Sequence, residues 1–149
     1  MEKKIISKRS LVAAFIIVLL GYSGCVTISP FDQYAYAQTT SIKVDALNLM
    51  DLANDDFSKH QSGVMEFETK LRKVYEYEKN RPKNEISVKL WDILIDTNGY
   101  LLGGFLSRWK KENKLNVAFI NNEKDLVGKA FDQISGLESK KIKASEISQ

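Results

Sequence analysis

Residues 42–74, IKVDALNLMDLANDDFSKHQSGVMEFETKLRKV, carry an apolar residue at almost every third or fourth position. This spacing places the apolar side chains on one face of an α-helix, as in an amphipathic helix packed on a core. The members of this stripe are Ile42, Ala46, Leu49, Ala53, Phe57, Val64, Phe67, Leu71 and Val74, with His60 in the remaining place. The stretch predicts either one long helix or two consecutive helices.

The two interpretations differ between residues 54 and 63. One uninterrupted helix over residues 30–80 would be about 75 Å long, at 1.5 Å per residue. Four residues in the interval favour helix caps and turns: Asn54, Asp55, Asp56 and Ser58. Because a small domain must bury its apolar stripe against another element, we favour a helical hairpin and keep the single long helix as the alternative.

Helix signals continue on both sides of this hairpin. On the N-terminal side, Ser29 and Pro30 predict the N-cap and first position of the leading helix, and Asp32 suits the positive end of its dipole. On the C-terminal side, NRPKN at residues 80–84 ends the hairpin, because Pro82 has no N–H to donate. We therefore expect the folded body to begin at residue 30.

Three further helices are predicted beyond the hairpin. Asn84 is expected to cap the first of them, which ends before the turn signal DTNG at residues 96–99. The second is expected over residues 101–113, and the third is a long helix over residues 115–138. Residues 139–149 have little apolar surface to bury and are predicted to be a frayed basic tail.

These elements define the predicted fold class. No segment alternates apolar and polar residues between hairpin turns, as half-buried strands do. The sequence therefore predicts an all-α protein, a small helical bundle of about four to five helices. Residues 30–138 are expected to form its single domain.

No grouping of residues matches a catalytic, metal-binding or cofactor-binding motif. His60, the only histidine, falls on the apolar stripe, so we interpret it as a packed imidazole. A catalytic triad would require a nucleophile and an orienting acid near it. Four glutamates lie among basic residues, typical of a solvated helix face: Glu66, Glu68, Glu76 and Glu78. We expect a protein that is not an enzyme and needs neither a metal ion nor a cofactor.

Residues 100–113, YLLGGFLSRWKKEN, combine large apolar side chains with a glycine pair. Gly103 and Gly104 would allow helices to approach closely, or would kink the helix. Aromatic side chains are enriched at the centres of protein interfaces. We predict a protein-interaction surface here, with packing inside the bundle as the alternative; its residues are Tyr100, Leu101, Leu102, Phe105 and Trp109.

The first 25 residues contain a targeting pattern. Basic residues come first, an apolar run extends from Leu11 to Leu20, and small or turn-forming residues lead to the only cysteine, Cys25. The apolar run is about ten residues, shorter than the roughly 20 that span a bilayer. A retained transmembrane anchor is therefore the weaker interpretation.

Ser23-Gly24-Cys25 resembles the lipobox of bacterial lipoproteins, although Tyr22 stands where leucine is usual. The resemblance implies that the Cys25 thiol receives a diacylglycerol and that residues 1–24 are removed. Residues 25–29 would then form a short lipid-anchored tether. The alternative is an ordinary cleavage site with an unrelated cysteine beside it.

Removal of the targeting segment would leave a chain of balanced charge. Four of the 22 Lys and Arg residues and one of the 19 Asp and Glu residues precede Cys25, so 18 of each sign remain. A nucleic-acid-binding protein shows a basic stripe, whereas this body is of mixed charge throughout. We therefore expect no nucleic-acid partner.

Together these features predict a lipid-anchored protein of the bacterial cell envelope that serves as a protein-interaction or structural module. A helical carrier or sensor of a small apolar ligand is the alternative, since helix bundles can hold such ligands. An enzyme is a third, less favoured class. In Gram-negative lipoproteins an aspartate after the cysteine resembles an inner-membrane retention signal. Val26 at that position implies the outer membrane, facing the periplasm, whereas in a Gram-positive cell the anchor would hold the protein on the plasma membrane.

Overall fold

The computed structural model describes residues 29–147, and this part of the chain is helical and contains no strands. Its five α-helices are α1 (Gln33–Asp51), α2 (Phe57–Lys79), α3 (Glu85–Ile95), α4 (Leu102–Glu112) and α5 (Val117–Glu138). Short 3₁₀ turns follow at Leu52–Asn54 and Ala144–Glu146. The predicted all-α helical bundle is confirmed. The predicted targeting segment and Cys25 lie outside the described residues.

The apolar stripe forms two helices packed against each other, so the hairpin is the correct alternative. The chain leaves α1 through the 3₁₀ turn and enters α2 at Phe57. The connection between α4 and α5 holds this break in place, because Phe57 donates its N–H to Asn113 O at 2.8 Å. Leu115 likewise donates its N–H to Ala53 O at 2.8 Å. A long-range contact therefore fixes a break that the capping residues make possible.

The first helix begins later than the sequence indicated. Asp32 is its N-cap, and the Asp32 carboxylate accepts hydrogen bonds from the N–H groups of Tyr34 at 2.8 Å and Ala35 at 3.1 Å. The expectation that Ser29 and Pro30 start the helix is therefore wrong. The Ser29 hydroxyl is instead an acceptor for Arg81, from a distant part of the chain.

Helices α3 and α4 together take the place of one long helix. Helix α1 packs between α2 and α5, and α3 packs against both α2 and α5. Helix α4 continues beyond α3 along α5. The chain thus runs up, down, up and down, with its third rod divided at residues 96–101. We call the end that contains Ser29–Asp32, Glu78–Asn84 and Glu138 the Arg81 end. The opposite end contains Ala53–Phe57 and Asn113–Asn116.

The core fills the space between the four rods and includes both tryptophans. Trp91 and Phe131 meet edge to face, with ring centroids 5.7 Å apart, and Phe57 meets Trp109 in the same way at 5.3 Å. The other large and fully buried apolar side chains are Met50, Leu94, Leu102, Phe105, Val127, Ile134 and Leu137. Burial of these side chains supplies most of the favourable free energy of folding.

The glycine pair lets α4 contact the backbone at the end of α3. A Cβ atom at Gly103 would overlap the carbonyl oxygen of Ile95, and one at Gly104 would overlap the carbonyl oxygen of Gly99. The close approach predicted for this pair is therefore present. Between the two helices, the DTNG sequence forms the expected turn, in which Gly99 donates its N–H to Asp96 O at 3.0 Å.

The segment predicted as a frayed tail is tied to α5 at its start. Lys140 has a positive φ of 58°, and Ile142 donates its N–H to Gly136 O at 3.1 Å. The Ile142 side chain lies where a Cβ at Gly136 would be. The chain therefore folds back over the end of α5 at Ile142, because a half-buried isoleucine finds apolar surface there.

The glycine pair predicts a measurable effect on stability. Replacing Gly103 or Gly104 with alanine is expected to lower the free energy of unfolding by about 1–3 kcal/mol, because the new methyl group meets rigid backbone. Gly63→Ala is the matched control. A Cβ at this exposed position in α2 meets nothing within 4 Å, so we expect a gain of about 0.5–1 kcal/mol. Urea unfolding of the three variants tests this, and equal effects at all three positions would contradict it.

Candidate functional site

The most unusual feature of the described chain is a buried arginine at the Arg81 end. The Arg81 side chain is only 7 % exposed and makes five hydrogen bonds. Its Nη1 donates to Glu78 Oε2 at 3.0 Å and also to Glu138 Oε2. Its Nη2 donates to Glu138 Oε1 at 2.9 Å, Ser29 Oγ at 3.1 Å and Pro30 O at 3.0 Å.

This arginine joins segments that are far apart in the sequence. Glu138 ends α5, Glu78 lies in the last turn of α2, and Ser29 precedes α1. The N–H of Asp32 adds a hydrogen bond to Glu138 Oε1 at 2.8 Å, across 106 positions of sequence. We call Ser29, Asp32, Glu78, Arg81 and Glu138 the Arg81 cluster.

The electrostatics of the cluster favour a permanently charged arginine. Burial by itself disfavours the guanidinium charge, but the hydrogen bond with Glu138 and the charge of Glu78 outweigh it and raise the pKa of Arg81. The planar guanidinium also fits the two oxygens of Glu138 as a fork, which a lysine ammonium could not reproduce.

Glu78 is a carboxylate of the Arg81 cluster whose surroundings disfavour its negative charge. Burial raises its pKa, although hydrogen bonds from Asn84 and Arg81 oppose the shift. Asn84 Nδ2 donates to Glu78 Oε2 at 2.6 Å and to Glu78 O at 2.8 Å. Within residues 29–147, neither Glu78 Oε1 nor Asn84 Oδ1 has a hydrogen-bond partner. Asn84 is the N-cap residue of α3, as expected, but its side chain is bonded to Glu78 rather than to the helix start.

The pKa of Asp32, at the edge of the cluster, is shifted in the opposite direction to that of Glu78. Tyr77 donates its hydroxyl to Asp32 Oδ2 at 2.6 Å, and this hydrogen bond lowers the pKa of Asp32. The N–H groups that Asp32 caps act in the same direction. The hydrogen bonds and ion pairs of the Arg81 cluster all connect segments of the same chain. The cluster is therefore arranged as a structural tie, by which we mean a non-covalent cross-link between the ends of the helices.

The surface beside the cluster is an open depression of about 700 Å³. Its lining includes Pro30, Phe31, Glu76 and Tyr77. Arg81 borders it but is already bonded within the cluster, so the exposed surface of the depression is mostly apolar, although polar side chains such as Asn80 also line it.

The predicted interaction surface is not one exposed patch. Leu102, Phe105 and Trp109 are in the core, where α4 packs against the rest of the bundle. Leu101 is half-buried, whereas Tyr100 is 92 % exposed. An apolar helix face has the same residue spacing whether it binds a partner or packs on the core. Here the face of α4 packs on the core. Of these five residues, only Tyr100 is fully accessible to a partner.

The use of the glycine pair also bears on the ligand-carrier alternative. That alternative relied on Gly103 and Gly104 to make room for a ligand between helices. In the structure the backbones of Ile95 and Gly99 occupy this space.

His60 is packed, as the sequence indicated. Its ring is partly buried, 5.7 Å from the ring of Trp109, and its Nε2 lies 3.4 Å from Asp55 Oδ2. A hydrogen bond from Lys59 lowers the pKa of Asp55 to about 2. The Trp109 indole N–H donates to Asp55 O at 3.1 Å, so this group joins α4 to the start of α2.

The four glutamates divide into two groups. Glu66, Glu68 and Glu76 are exposed, as expected for a solvated face, whereas Glu78 is buried. The expectation of a solvated face is therefore wrong for Glu78, and no sequence pattern pointed to Arg81 or Glu138. The i,i+3 spacing of Glu78 and Arg81 is compatible with a local ion pair, but it indicates neither the burial of that pair nor its bonds to Glu138 and Ser29.

Comparisons with protein-family models, with curated proteins and with solved structures find no match for this chain. Among the described helices, none is both long enough and apolar enough to cross a membrane. Over residues 29–147, no three His, Cys, Asp or Glu side chains are grouped so that they could hold a metal ion.

The buried cluster predicts a large difference between two cation deletions. Arg81→Met is expected to lower the free energy of unfolding by about 3–5 kcal/mol, because it leaves buried carboxylates without a counter-charge. Lys129→Met is the control, since it removes an exposed lysine that pairs with Asp125 at 2.5 Å. Its effect should stay within about 1 kcal/mol. Urea unfolding of both variants at one salt concentration measures the difference, and similar losses would show that the cluster is not a tie.

Proposed function

We propose that this protein is a lipoprotein of the bacterial cell envelope, anchored by a lipid on Cys25, whose helical body binds another envelope protein. In a Gram-negative cell it would sit in the outer membrane, facing the periplasm. The proposal combines the lipobox-like sequence at residues 23–25 with the folded body that follows it.

The observation that carries the proposal is the position of Ser29. Arg81 holds Ser29 Oγ and Pro30 O, so the folded body is joined to a residue only four positions after Cys25. Four residues span at most about 14 Å. A lipid on Cys25 would therefore hold the bundle close to the membrane surface, as suits an anchored module rather than one on a long flexible linker.

Tyr100 supports the protein-binding part of the proposal. It projects from the turn between α3 and α4, and this turn is fixed by the contacts of Gly103 and Gly104 with the backbone. An exposed aromatic side chain on a turn with a fixed backbone is typical of an interface hot spot, because an aromatic ring supplies a large contact area with few rotatable bonds.

The anchor is tested by Cys25→Ala. We expect the wild-type protein in the membrane fraction, with the mass of the chain from Cys25 plus its lipid, and the variant uncut and without lipid. Thr27→Ala is the matched control, since it changes the same segment and keeps the thiol. Intact-protein mass spectrometry of both fractions gives the result. A mature, membrane-bound Cys25→Ala protein would refute the anchor.

The interaction is tested by a photo-crosslinking residue at position 100 in native membranes. We expect one discrete protein adduct from this position, because Tyr100 is accessible and its turn is held by the contacts of the glycine pair. The same residue at position 129, on the exposed face of α5, is the control. Adducts are identified by mass spectrometry. No adduct at position 100, or the same adducts at both positions, would argue against Tyr100 as a contact.

A further inference from the structure

Four aromatic side chains gather at the surface of the Arg81 end. Phe31 and Tyr36 have ring centroids 6.3 Å apart, and Tyr34 and Tyr77 meet edge to face at 4.8 Å. Phe31 is 51 % exposed and Tyr34 is 55 % exposed. We call Phe31, Tyr34, Tyr36 and Tyr77 the aromatic rim.

The Arg81 cluster holds this rim in its exposed position. Tyr77 is bonded to Asp32, and Asp32 in turn donates its N–H to Glu138. Phe31 lies between Pro30 and Asp32, whose backbone atoms are both bonded to the cluster. The rings are therefore kept at the surface by buried charges behind them, although the exposure of large apolar rings to water is unfavourable.

The length of chain before Ser29 limits what can cover the rim. If Cys25 carries a lipid, Ser29, which lies beside the rim, is within about 14 Å of the lipidated residue. A single α-helix with its side chains is about 10–12 Å across. A gap of this size admits the thickness of one helix at most, so a partner built of several packed helices would not fit beneath the rim, whereas the headgroup layer of a bilayer would fill it.

The side chains at this end suit a lipid surface. Tyrosine is favoured at the membrane–water interface, because its ring is apolar and its hydroxyl is polar. Five lysines and three glutamates are exposed over residues 76–85 and 139–147: Lys79, Lys83, Lys140, Lys141 and Lys143, with Glu76, Glu85 and Glu146. The excess of exposed lysines is complementary to anionic headgroups.

We propose that the aromatic rim is a membrane-docking surface, which inserts Phe31 and Tyr34 into the headgroup layer of an anionic bilayer. This inference rests on the proposed lipid anchor. It adds that the bundle stands end-on, with the Arg81 end on the membrane and Ser58, at the opposite end, in water. The anchor alone would leave the body free to turn on its tether.

The test uses the full-length protein, processed and lipidated in the cell, in vesicles of phosphatidylethanolamine and phosphatidylglycerol. The chain has no other cysteine, so a nitroxide label can be placed at Gln33→Cys near the rim or at Ser58→Cys at the opposite end. Both positions are exposed. Electron paramagnetic resonance then measures collisions of each label with a water-soluble nickel complex. We expect these collisions to be severalfold rarer at residue 33 than at residue 58.

A variant of the rim separates docking from tethering. In Phe31→Ser/Tyr34→Ser, the label at residue 33 should become as accessible to nickel as the label at residue 58, while the lipid remains. Tyr100→Ser is the matched control, because it removes an exposed aromatic ring elsewhere and should change neither label. Circular dichroism verifies that each variant is folded.

The outcomes distinguish this inference from the proposal on which it rests. A protein without lipid on Cys25, shown by its mass, refutes the anchor and the docking together. A lipidated protein whose residue 33 is as accessible as residue 58 refutes docking alone. Docking alone is also refuted if the rim variant leaves the label unchanged, or if a photo-crosslinker at Phe31 reacts with a protein instead of lipid.

Discussion

The fold depends on the neutralisation of one buried arginine. Arg81 follows α2, yet its partners are a glutamate at the end of α5 and the chain just before α1. A buried guanidinium without such partners would be strongly unfavourable, so the packed state requires all three segments to be in place together. Other packings of the four amphipathic rods would leave buried charges unpaired, so the cluster favours this one arrangement of the bundle.

The two ends of the bundle are closed by different chemistry. At the Arg81 end, charges and hydrogen bonds join the segments, and aromatic rings remain outside. At the opposite end, Phe57 and Trp109 pack together, and backbone hydrogen bonds join the two connections. Between them, the third rod is divided, which places Tyr100 partway along the bundle. The bundle therefore has three distinct surfaces: the Arg81 end, the opposite end, and the turn that carries Tyr100.

Local sequence patterns predicted most of the fold, because they depend on spacing and on capping residues. The apolar stripe, the break near Asp55, the DTNG turn and the glycine pair all behave as their residue types require. The errors concern contacts between distant residues. Ser29 resembles a cap, but Arg81 binds it, and Asp32 takes the role. Trp109 resembles an interface residue because the same helical spacing serves a buried face and a binding face. The Arg81 cluster joins segments up to 106 positions apart, so no local pattern could reveal it.

The placement of Glu138 has a consequence for the order in which the molecule can fold. Glu138 is the last residue of the last long helix, and α1 packs against that helix along much of its length. Until α5 is present, the Arg81 charge lacks its main partner and one side of α1 remains uncovered. The early helices therefore cannot form a complete core alone. If the chain is exported in unfolded form before it is anchored, this delay would keep the leading helices from completing their packing until Glu138 had also crossed the membrane.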